Sequence, residues 1–525
     1  MVKNILFIKF VAIFLILSVV FSFTGCFDYS YIDETADSIT NSSNEDKAET
    51  SDEIKFNLPY ITSDTLNPFY AKTEINRNLT SLLYDSLFSV DNNFKPNALM
   101  AESYSNRDKQ IVIKLKNNLH FTDLGEVSAN DVVFSFNTAK SSERYKNILS
   151  KIKSAEASDS RTIIFRFSTD IIDACSLLTF PIVKLSSTNS EKNKNDVPIG
   201  SGRYILSKNT NNELYLTANT NRLTGYKPIY SNIGLVSTSD EKAAASNFSL
   251  GHINVLIDTF SDGIYEKCVG ATNKHNLTNI VYLVCNSKNK IFDDTNVKKA
   301  ISLAIDREEI ANYSFVSFAK PTFSPFHPDY YKTNDYSFDK LVFNVDYANK
   351  ILDNIGYSSI NTKYNFRHSD GKIMEFDLAV CKDNPFKLSA ARIIKEQMKK
   401  ISIHINIRSY TEEDFFKIIS SGKYDMYIGE CRLTNNFELT PFFNEGSSAS
   451  YGIPKNTKTQ SKYNQYIKNE IEISELLDSF NEEMPFIPIL YRCASVNSNS
   501  GMAVSNFSII TDYYNNIDKW KTAND

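Results

Sequence analysis

The sequence predicts an α/β fold with mixed sheets, divided into lobes because a chain of 525 residues is too long for one hydrophobic core. The stretch Val281–Asn286 is mostly apolar, with β-branched and aromatic members, which indicates a strand buried on both faces. Asp294 or Thr295 can then cap a helix whose apolar residues recur at helical spacing up to Ile310. The same strand–helix alternation continues towards the C-terminus, and it favours α/β lobes.

The first residues have the layout of a secretory signal. Lys3 and Lys9 supply positive charge around an apolar run from Ile5 to Phe23. The run ends in Phe-Thr-Gly-Cys26, which resembles a bacterial lipobox and implies that residues 1–25 are removed and Cys26 is lipidated. The alternative is an uncleaved anchor helix, since the run is nearly long enough to span a bilayer. The Gly-Cys junction and the polar tract behind it favour the lipoprotein.

Residues 26–52 are rich in Asp, Glu, Ser, Thr and Asn and contain few large apolar residues. Such a segment cannot bury enough surface to fold, so we expect a disordered tether between the lipid anchor and the folded body.

Charge and cysteine usage exclude several classes of protein. The net charge of −5 and the lack of a basic block argue against nucleic-acid binding. Six cysteines besides Cys26 are scattered without a Cys-x-x-Cys, which suggests neither a zinc site nor a disulfide framework. Pairing stays open for an even number in an exported protein. Four of them lie in apolar strand-like runs and favour free, buried thiols: Cys285, Cys381, Cys431 and Cys493.

In the first half of the folded part, the patterns predict short strands and helices. The helix that begins at Val132 follows Ser128-Ala-Asn-Asp131, a capping box in which hydroxyl and carboxylate satisfy opposing backbone donors. The predicted order is a strand at 53–60, a helix around 79–88, a strand at 111–115, the Val132 helix, a strand after Tyr204, a helix at 243–251 and a strand at 255–258.

The second half alternates in the same way. A helix from Asp346 is closed by Gly356 as its C-cap glycine. The prolines of the late strand at 484–491 place it at a sheet edge, or lie at the ends of that strand. The remaining predictions are a helix at 388–400, a strictly alternating strand at 401–407, helical turns at 414–419 and a strand at 424–430.

The segment 286–308 carries a family resemblance. It reads Asn-Ser-Lys-Asn-Lys-Ile-Phe-Asp-Asp-Thr-Asn-Val-Lys-Lys-Ala-Ile, followed by Ala304-Ile-Asp-Arg-Glu. This resembles the solute-binding proteins of the oligopeptide/dipeptide/nickel class (family 5) of ABC importers. Ile291 stands where proline is usual in that family, and Lys298 stands where arginine is usual.

The N-terminal half resembles the same family in a long, ordered series of motifs. They include Leu66-Asn67-Pro68, Ala98–Glu102 and the segment that opens at Ser128. Asn67 replaces the usual aspartate, and Leu124 falls where glycine is usual. Nearly every segment from residue 53 to 525 finds a counterpart in order.

The resemblance implies a two-lobed, periplasmic-binding-protein type II-like fold with mixed sheets, a hinge between the lobes and an extra domain in the N-terminal half. Val281–Asn286 and Gly200–Tyr204 would be where the chain crosses between lobes. The implied divisions are residues 53–88 with 196–280 and 501–525 for lobe I, 89–195 for the extra domain II, and 281–500 for lobe III.

The run Pro198-Ile-Gly-Ser-Gly-Arg-Tyr204 invites a nucleotide-binding interpretation, which its context does not support. It lacks the third glycine and the strand-then-helix setting that such a site requires. It resembles instead the family's Pro-x-Gly-Thr-Gly-x-Tyr, in which the glycines permit a tight turn.

No catalytic constellation is present in the sequence. It contains no Gly-x-Ser-x-Gly and no His-Glu-x-x-His, and its six histidines are scattered singly. We therefore expect a binding protein rather than an enzyme, without a cofactor or a resident metal.

The most informative polar cluster is Gly429–Asn436, after the predicted 424–430 strand. Peptide-binding relatives carry an Asp-Tyr-x-x-Pro run here whose aspartate pairs with a peptide α-ammonium, whereas this chain has Arg432 near that place. An arginine fork recognises carboxylate or phosphate. Glu430 is an ion-pair partner of Arg432, an ammonium anchor, or half of a plain surface pair. Asn435 and Asn436 complete the candidate set.

A second tier of candidates lies at other strand ends, which border the cleft in the resembling family. These are Asn286 after the central strand, and Tyr60, Ser63 and Asp64 after the first strand. A role in turns explains them equally well.

The resemblance implies an extracytoplasmic, lipid-anchored bacterial protein that captures a peptide or other small solute between hinged lobes. A monomer would deliver the solute to an ABC permease and its ATPase subunits. The alternative is a membrane-tethered sensory receptor that uses the same fold without transport, and the sequence leaves that choice open.

Overall fold

The computed structural model describes residues 56–187, 197–222, 228–261, 268, 270–361, 365–369, 372–499, 502–503 and 508–522. The chain divides into two units, 1–52 and 53–525, and every described residue lies in the second unit. The predictions for the signal segment, for Cys26 and for the tether therefore fall outside the described residues. No helix in the described part of the chain has the length and apolar character needed to cross a membrane.

Most of the strands belong to three sheets. Their bounds are β1 Asn57–Ile61, β2 Phe88–Val90, β3 Pro96–Ala98, β4 Ala101–Arg107, β5 Gln110–Leu115, β6 Ile152–Ala157, β7 Thr162–Phe167, β8 Tyr204–Lys208, β9 Leu214–Ala218, β10 Asn232–Thr238, β11 Val255–Asp258, β12 Ala271–Cys285, β13 Ala319–Pro321, β14 Ser359–Asn361, β15 Phe366–Ser369, β16 Lys372–Ile373, β17 Glu375–Cys381, β18 His404–Tyr410, β19 Met426–Arg432, β20 Ile487–Ser498, β21 Met502–Ala503 and β22 Lys521–Thr522.

The longer helices are α1 Glu74–Leu83, α2 Ala129–Ser141, α3 Glu241–Ser249, α4 Thr295–Ala304, α5 Val345–Asn354, α6 Pro385–Lys399, α7 Glu412–Ser421, α8 Lys458–Tyr466 and α9 Ile473–Glu483. Two of them begin at the predicted caps. Ser128 and Asp131 form the capping box of α2, and the Asp294 side chain accepts the Asn296 N–H at the start of α4. Gly356 follows α5 with φ +94°, which is the conformation that favours glycine at a helix end.

Lobe I contains the sheet β1-β10-β9-β8, in which β1 and β10 are parallel and the other neighbours antiparallel. The extra domain contains the antiparallel sheet β4-β5-β7-β6 with α2 against it. The two share one hydrophobic core, in which Leu58 of lobe I and Ile111 and Phe165 of the extra domain are fully buried. Trp520, near the C-terminus, is buried in that core as well.

The third sheet has seven strands in the order β11-β20-β12-β19-β17-β18, with β13 paired to β20. Most of these strands fall in the range expected for lobe III, whereas β11 and the first part of β12 fall in the range expected for lobe I. Strand β17 is parallel to β18 and β19, whereas β12 is antiparallel to both of its neighbours. Alternate residues of β12 pack into two different cores. Leu283 lies on the face that packs against α4 and α6, and Tyr282 lies on the opposite face, in an aromatic-rich core. The predicted α/β class with mixed sheets is confirmed.

Strands β12 and β20 run from lobe III towards lobe I. Their far halves pair around Ala271–Asn276, where β20 also pairs with β11. A register irregularity separates Asn276 from Ile280. Residues 281–285, where the crossing was predicted, are buried in the seven-stranded sheet, and the irregularity lies before them.

Two strand predictions are refined by the structure. Of the two alternatives for the 484–491 segment, the sheet edge is excluded because β20 is paired on both sides, and the prolines lie at the start of the strand, as the other alternative predicted. Its proline Pro488 is tolerated since it lies near the strand's start, beside a second irregularity at Val281/Tyr282. The strand predicted at 401–407 begins only at His404, because Ile401 and Ser402 close the end of α6 with hydrogen bonds to Met398 and Lys399.

The two glycines of the 198–204 run are explained by close packing against the end of α1. A Cβ atom on Gly200 would lie 2.1 Å from the Leu83 carbonyl oxygen, and one on Gly202 would lie 2.4 Å from the Leu82 oxygen. The Gly202 N–H donates to the Leu83 carbonyl oxygen at 3.0 Å. Glycine is therefore required here because two backbone segments touch.

We expect Gly202→Ala to lower the free energy of unfolding by about 1–3 kcal/mol, because the new methyl group must displace backbone atoms of α1. Urea unfolding of the whole chain measures the change. Gly125→Ala is the matched control, since the atom nearest to its added methyl group is the mobile end of the Lys184 side chain. Equal unfolding midpoints for Gly202→Ala and the wild type would contradict the packing explanation.

Candidate functional site

The polar cluster predicted at 429–436 lies where the lobe III sheet ends and its two long strands continue towards lobe I. Strand β19 ends at Arg432, which is opposite Asn279, and Glu430 is opposite Val281. Both positions adjoin the irregularity of β12. The residue before Glu430 is glycine because the Tyr282 ring crosses it, and a Cβ there would approach the ring to 2.5 Å.

Glu430 is a nearly buried carboxylate held by two cations. It extends the face of β19 that carries Met426 and Ile428, which are core residues of lobe III. Its Oε1 accepts from Arg492 Nη1 and from Asn279 Nδ2, both at 2.9 Å, and its Oε2 lies 3.3 Å from Lys387 Nζ.

Burial alone would raise the pKa of Glu430, but Lys387 and Arg492, with hydrogen bonds from Arg492 and Asn279, lower this pKa to about 2. The carboxylate therefore stays ionised in the folded protein at neutral pH. With two cations beside it, the local charge of these three side chains is +1. Glu430 was expected to pair with Arg432, either inside the site or at the surface. In the structure Glu430 pairs instead with Lys387 and Arg492.

Arg492 is itself fixed by backbone acceptors. Its Nη2 donates to the carbonyl oxygens of Thr259 at 2.7 Å and Phe260 at 2.8 Å, which follow β11. The arginine thus connects the end of β11 to β20 and β19. Sequence analysis missed Arg492, Lys387 and Asn279. A lone charged residue inside the apolar run of β20 was the available signal for Arg492.

Arg432 is exposed, and within the described part of the chain its guanidinium makes no ion pair or hydrogen bond. It lies near Tyr513 of the C-terminal segment. Burial raises the pKa of Tyr513, and the positive charge of Arg432 opposes that shift. The Tyr513 ring in turn packs on His275 of β12, with ring centroids 4.0 Å apart. Among the residues that the structure describes, Arg432 is therefore a cation without an ion-pair partner, close to Tyr513 of the C-terminal segment.

Asn435 and Asn436 contact the extra domain. Asn436 is buried, donates to the Ile172 carbonyl oxygen at 2.8 Å and accepts from the Thr434 hydroxyl at 2.6 Å. Asn435 donates to the Ser176 carbonyl oxygen at 3.4 Å. Both the oxygen and the nitrogen of the Asn436 amide are therefore hydrogen-bonded to protein groups. Asn435 and Asn436 contact the extra domain, whereas Arg432 does not share these contacts.

Asn286 and Arg432 lie at opposite ends of the paired segment of β12 and β19. Seven residues of antiparallel pairing separate them, which corresponds to roughly 20 Å. The Asn286 amide is buried, donates to the Tyr424 carbonyl oxygen at 2.8 Å and accepts the Lys288 N–H. Asn286 thus organises the turn into β19, and the structure does not bring it together with the 430–432 pair.

The first-strand candidates follow β1 in lobe I. Asp64 accepts from the N–H and hydroxyl of Thr73 at 2.8 and 2.7 Å and from the Lys72 N–H, so it fixes the approach to α1. Burial raises the pKa of Asp64, but these hydrogen bonds prevail and lower it. Ser63 is exposed, and Tyr60 is half-buried against the core of lobe I.

A second polar group borders the same irregularity of β12. Asn276 Nδ2 donates to Asp329 Oδ2 at 2.8 Å, and Asp329 pairs with Lys320 of β13. This group is electrically neutral. The described residues contain no cluster of His, Cys, Asp and Glu suited to a metal ion. The net positive charge at the end of β19 therefore comes from Arg432 and from the Lys387–Glu430–Arg492 group.

One cysteine, Cys431, lies within this polar cluster. Cys285, Cys381, Cys431 and Cys493 are free thiols; the first two and Cys493 are buried, whereas Cys431, which was predicted to be buried, is half-buried. Burial raises the pKa of Cys431 to about 11 and so keeps this thiol protonated.

This arrangement of two mixed-sheet lobes joined by paired strands, with charged side chains at the strand ends, is typical of a solute-binding protein. Residues 95–450 match the family of bacterial extracellular solute-binding proteins, family 5. The chain belongs to that family. It is a binding protein of the ABC-importer class, as its relatives are, and not an enzyme.

Two relatives show how far the sequence has diverged. The oligopeptide-binding protein AppA of Bacillus subtilis is 22% identical over 493 residues, which cover 86% of this chain and 89% of AppA. The nickel-binding protein NikA of Staphylococcus aureus is 23% identical over 353 residues, which cover 65% of this chain and 68% of NikA.

Solved structures support the two-lobed fold. The periplasmic murein tripeptide-binding protein MppA, in its unliganded open form, matches with a TM-score of 0.74 at 16% identity, over 90% of this chain and 98% of MppA. AppA of Bacillus subtilis, in complex with a nonapeptide, matches with a TM-score of 0.54 at 20% identity, over 89% of this chain and 99% of AppA.

We expect Glu430→Gln to remove a pH-dependent part of the stability. Because the folded pKa of Glu430 is below its ordinary value of 4.5, its contribution is complete above pH 4.5 and is lost as the pH falls towards 2. The shift corresponds to a contribution on the order of 3 kcal/mol. The difference in free energy of unfolding between wild type and variant, followed by urea titration from pH 7 to pH 3, should therefore shrink with acid.

Glu413→Gln is the control, because Glu413 pairs with Lys417 on the exposed face of α7. It should change the free energy of unfolding little at any pH. A wild-type-to-Glu430→Gln difference that is constant between pH 7 and pH 3 would contradict the ionised state assigned to Glu430.

Proposed function

We propose that this protein is an extracytoplasmic lipoprotein that captures a small solute between its lobes and delivers it to an ABC permease. Membership of the solute-binding family supports capture and delivery, and the Gly25-Cys26 junction behind an apolar run supports the lipid anchor. The hinge would lie at the irregularity of β12 between Asn276 and Ile280, beside β20. Closure of the lobes there would enclose the solute at the ends of the strands.

Arg432 is the residue on which we base the ligand proposal. It is exposed beside the crossing strands, and in the described residues no carboxylate pairs with it. Glu430, two residues away on the same strand, is already neutralised by Lys387 and Arg492. In the described part of the chain, a carboxylate or phosphate group would find a guanidinium fork without an ion-pair partner here, whereas the carboxylate of Glu430 is not available to an ammonium group.

We therefore propose that the solute presents an acidic or carbonyl-rich group to Arg432, and that Glu430 supports the site without binding an α-ammonium. Asn436, Asn286 and Asp64 make protein contacts that occupy their polar atoms, so they contribute less to this proposal. Native mass spectrometry of the protein with its co-purifying solute would identify the ligand. A solute with neither carboxylate, phosphate nor carbonyl groups would exclude the proposal.

We expect Cys26 to be diacylated and residues 1–25 to be removed. Metabolic labelling with a palmitate analogue should mark the wild type, and Cys26→Ala should lose the mark. Cys431→Ala is the control, because it removes a thiol that lies within the folded part. Equal labelling of wild type and Cys26→Ala would refute the lipid anchor.

We expect Arg432→Ala to weaken binding of the co-purified solute by about 2–5 kcal/mol, because it leaves a desolvated anionic group without its partner. An arginine at a plain surface would instead change affinity by less than about 1 kcal/mol, and high salt would remove most of that. Calorimetry at low and high salt distinguishes these results.

Arg408→Ala is the matched control, since Arg408 is an exposed arginine on β18 that pairs with Asp377 at 3.1 Å. It should leave the affinity unchanged. Arg432→Lys keeps the charge and loses the fork, so it should bind at an intermediate level. Tight binding of simple free-amine peptides by Arg432→Ala would favour an ordinary peptide carrier.

A further inference from the structure

One hairpin of the chain has its base in one core and its tip in another. The strands β2 and β3 form this hairpin, with Phe88 at the base in the core shared by lobe I and the extra domain. Phe94, in the connecting turn, is buried in the aromatic core of lobe III. The hairpin therefore spans from the body of the extra domain to the opposite lobe.

The turn places Phe94 in a backbone conformation that phenylalanine rarely adopts. Its φ is +61°, in the left-handed region that favours glycine or asparagine. The turn is well fixed, because the Phe94 N–H donates to the Asp91 carbonyl oxygen at 2.9 Å and the Asp91 N–H donates to that of Lys95 at 3.1 Å. An aromatic residue at this position calls for a compensating contact of its ring.

The ring of Phe94 has that contact in lobe III. It is fully buried, with its centroid 4.6 Å from that of His327 and 4.7 Å from that of Phe437. His327 and Phe437 both pack against Tyr491 of β20, at 4.9 and 5.7 Å. The socket is thus built on one of the two strands that cross between lobes.

Polar contacts hold the hairpin tip beside the other crossing strand. Asn276 of β12 donates to the Asn92 carbonyl oxygen at 3.4 Å, and the Tyr331 N–H of lobe III donates to that of Asn93 at 3.0 Å. Close by, the hydroxyls of Tyr330 and Tyr331 donate to Asp173 of the extra domain at 3.0 and 2.9 Å. The tip is therefore fixed next to the irregularity of β12.

A second turn of the chain provides an internal comparison. Leu124 also has a left-handed φ, of +69°, in a turn with the same two hydrogen bonds, from Leu124 N–H to Phe121 and from Phe121 N–H to Gly125. Its side chain is 61% exposed. Each of the two turns has an apolar residue in an unfavourable left-handed conformation. Of these two side chains, only that of Phe94 enters the opposite lobe.

We propose that Phe94 is a non-covalent anchor between the halves of the protein, beside the two crossing strands, and that it fixes the axis about which the lobes turn. Two adjacent antiparallel strands are a ribbon about 5 Å wide, which can twist as well as bend. A ring held in a socket at the side of that ribbon resists twisting and tolerates bending, because contacts between aromatic rings are less directional than hydrogen bonds. The proposal rests on the hinge of the proposed function.

The test compares Phe94→Gly with Leu124→Gly in the full chain. Both variants remove an apolar side chain from a left-handed position, and glycine keeps the turn. Hydrogen exchange of the Tyr331 amide reports the anchor, and exchange of the amide at position 94 reports the turn. We expect Phe94→Gly to speed exchange at Tyr331 by roughly tenfold or more while the position-94 amide stays protected. Leu124→Gly should change neither amide.

A second readout addresses the axis. Single-molecule energy transfer between dyes at exposed positions Lys208 of β8 and Glu396 of α6 measures the distance between lobes. We expect the distance distribution of Phe94→Gly to broaden, and that of Leu124→Gly to match the wild type. Phe94→Leu, which keeps part of the buried volume, should lie between them and serves if the glycine variant folds poorly.

An unchanged distance distribution in both Phe94 variants would overturn the anchor, even if exchange at Tyr331 were faster, since the contact would then be local packing. Failure of the hinge itself is a separate result. It would appear as a wild-type distance that does not respond to saturating co-purified solute, and it would count against the proposed function.

Discussion

The fold depends on the burial of one long strand. Residues 280–285 of β12 are buried, with an aliphatic core on one face and an aromatic core on the other; β19 pairs with this segment as far as Cys285 and β20 as far as Leu283. A strand buried on both faces has its register fixed, because a shift by one residue would exchange the residues of the two cores. That register sets Val281 opposite Glu430 and Asn279 opposite Arg432. The positions of the charged side chains at the strand end follow from the packing of apolar ones.

The charged group at the strand end shows how a buried carboxylate is kept ionised. Burial removes most of the water around Glu430. Its carboxylate remains charged because Arg492 and Lys387 take the place of that water. Arg492 has further acceptors in the backbone after β11, so the group also ties the edge of the sheet to its centre. Arg432, two residues along the same strand, has no such partner in the described residues and remains available at the surface.

Local patterns predicted the α/β class, the capping box at Ser128, the helix cap at Asp294 and most strands, because hydrophobic periodicity and helix caps are short-range properties. The sequence could not predict which ends of which strands meet. Asn286 and Arg432 both follow apolar strands, yet antiparallel pairing of β12 with β19 puts them at opposite ends of the sheet. The partners of Glu430 come from positions 279, 387 and 492, which are distant in sequence, so nothing local could have named Lys387. The prolines of the 484–491 segment left two positions open, a sheet edge or a strand end, and only the pairing of β20 on both sides decides for the strand end.

Lack of space and backbone conformation are two separate reasons for glycine at a position. Gly202 and Gly429 have no space for a side chain because backbone or a tyrosine ring occupies it, and their conformations are ordinary. Phe94 and Leu124 show the opposite combination. Their left-handed φ favours glycine, but there is space for a side chain. Packing contacts can offset a left-handed φ, which costs of order 1–3 kcal/mol, whereas no contact offsets overlap with a neighbouring backbone. A left-handed position is therefore one where a turn can acquire a long-range contact, as Phe94 has done with the core of lobe III.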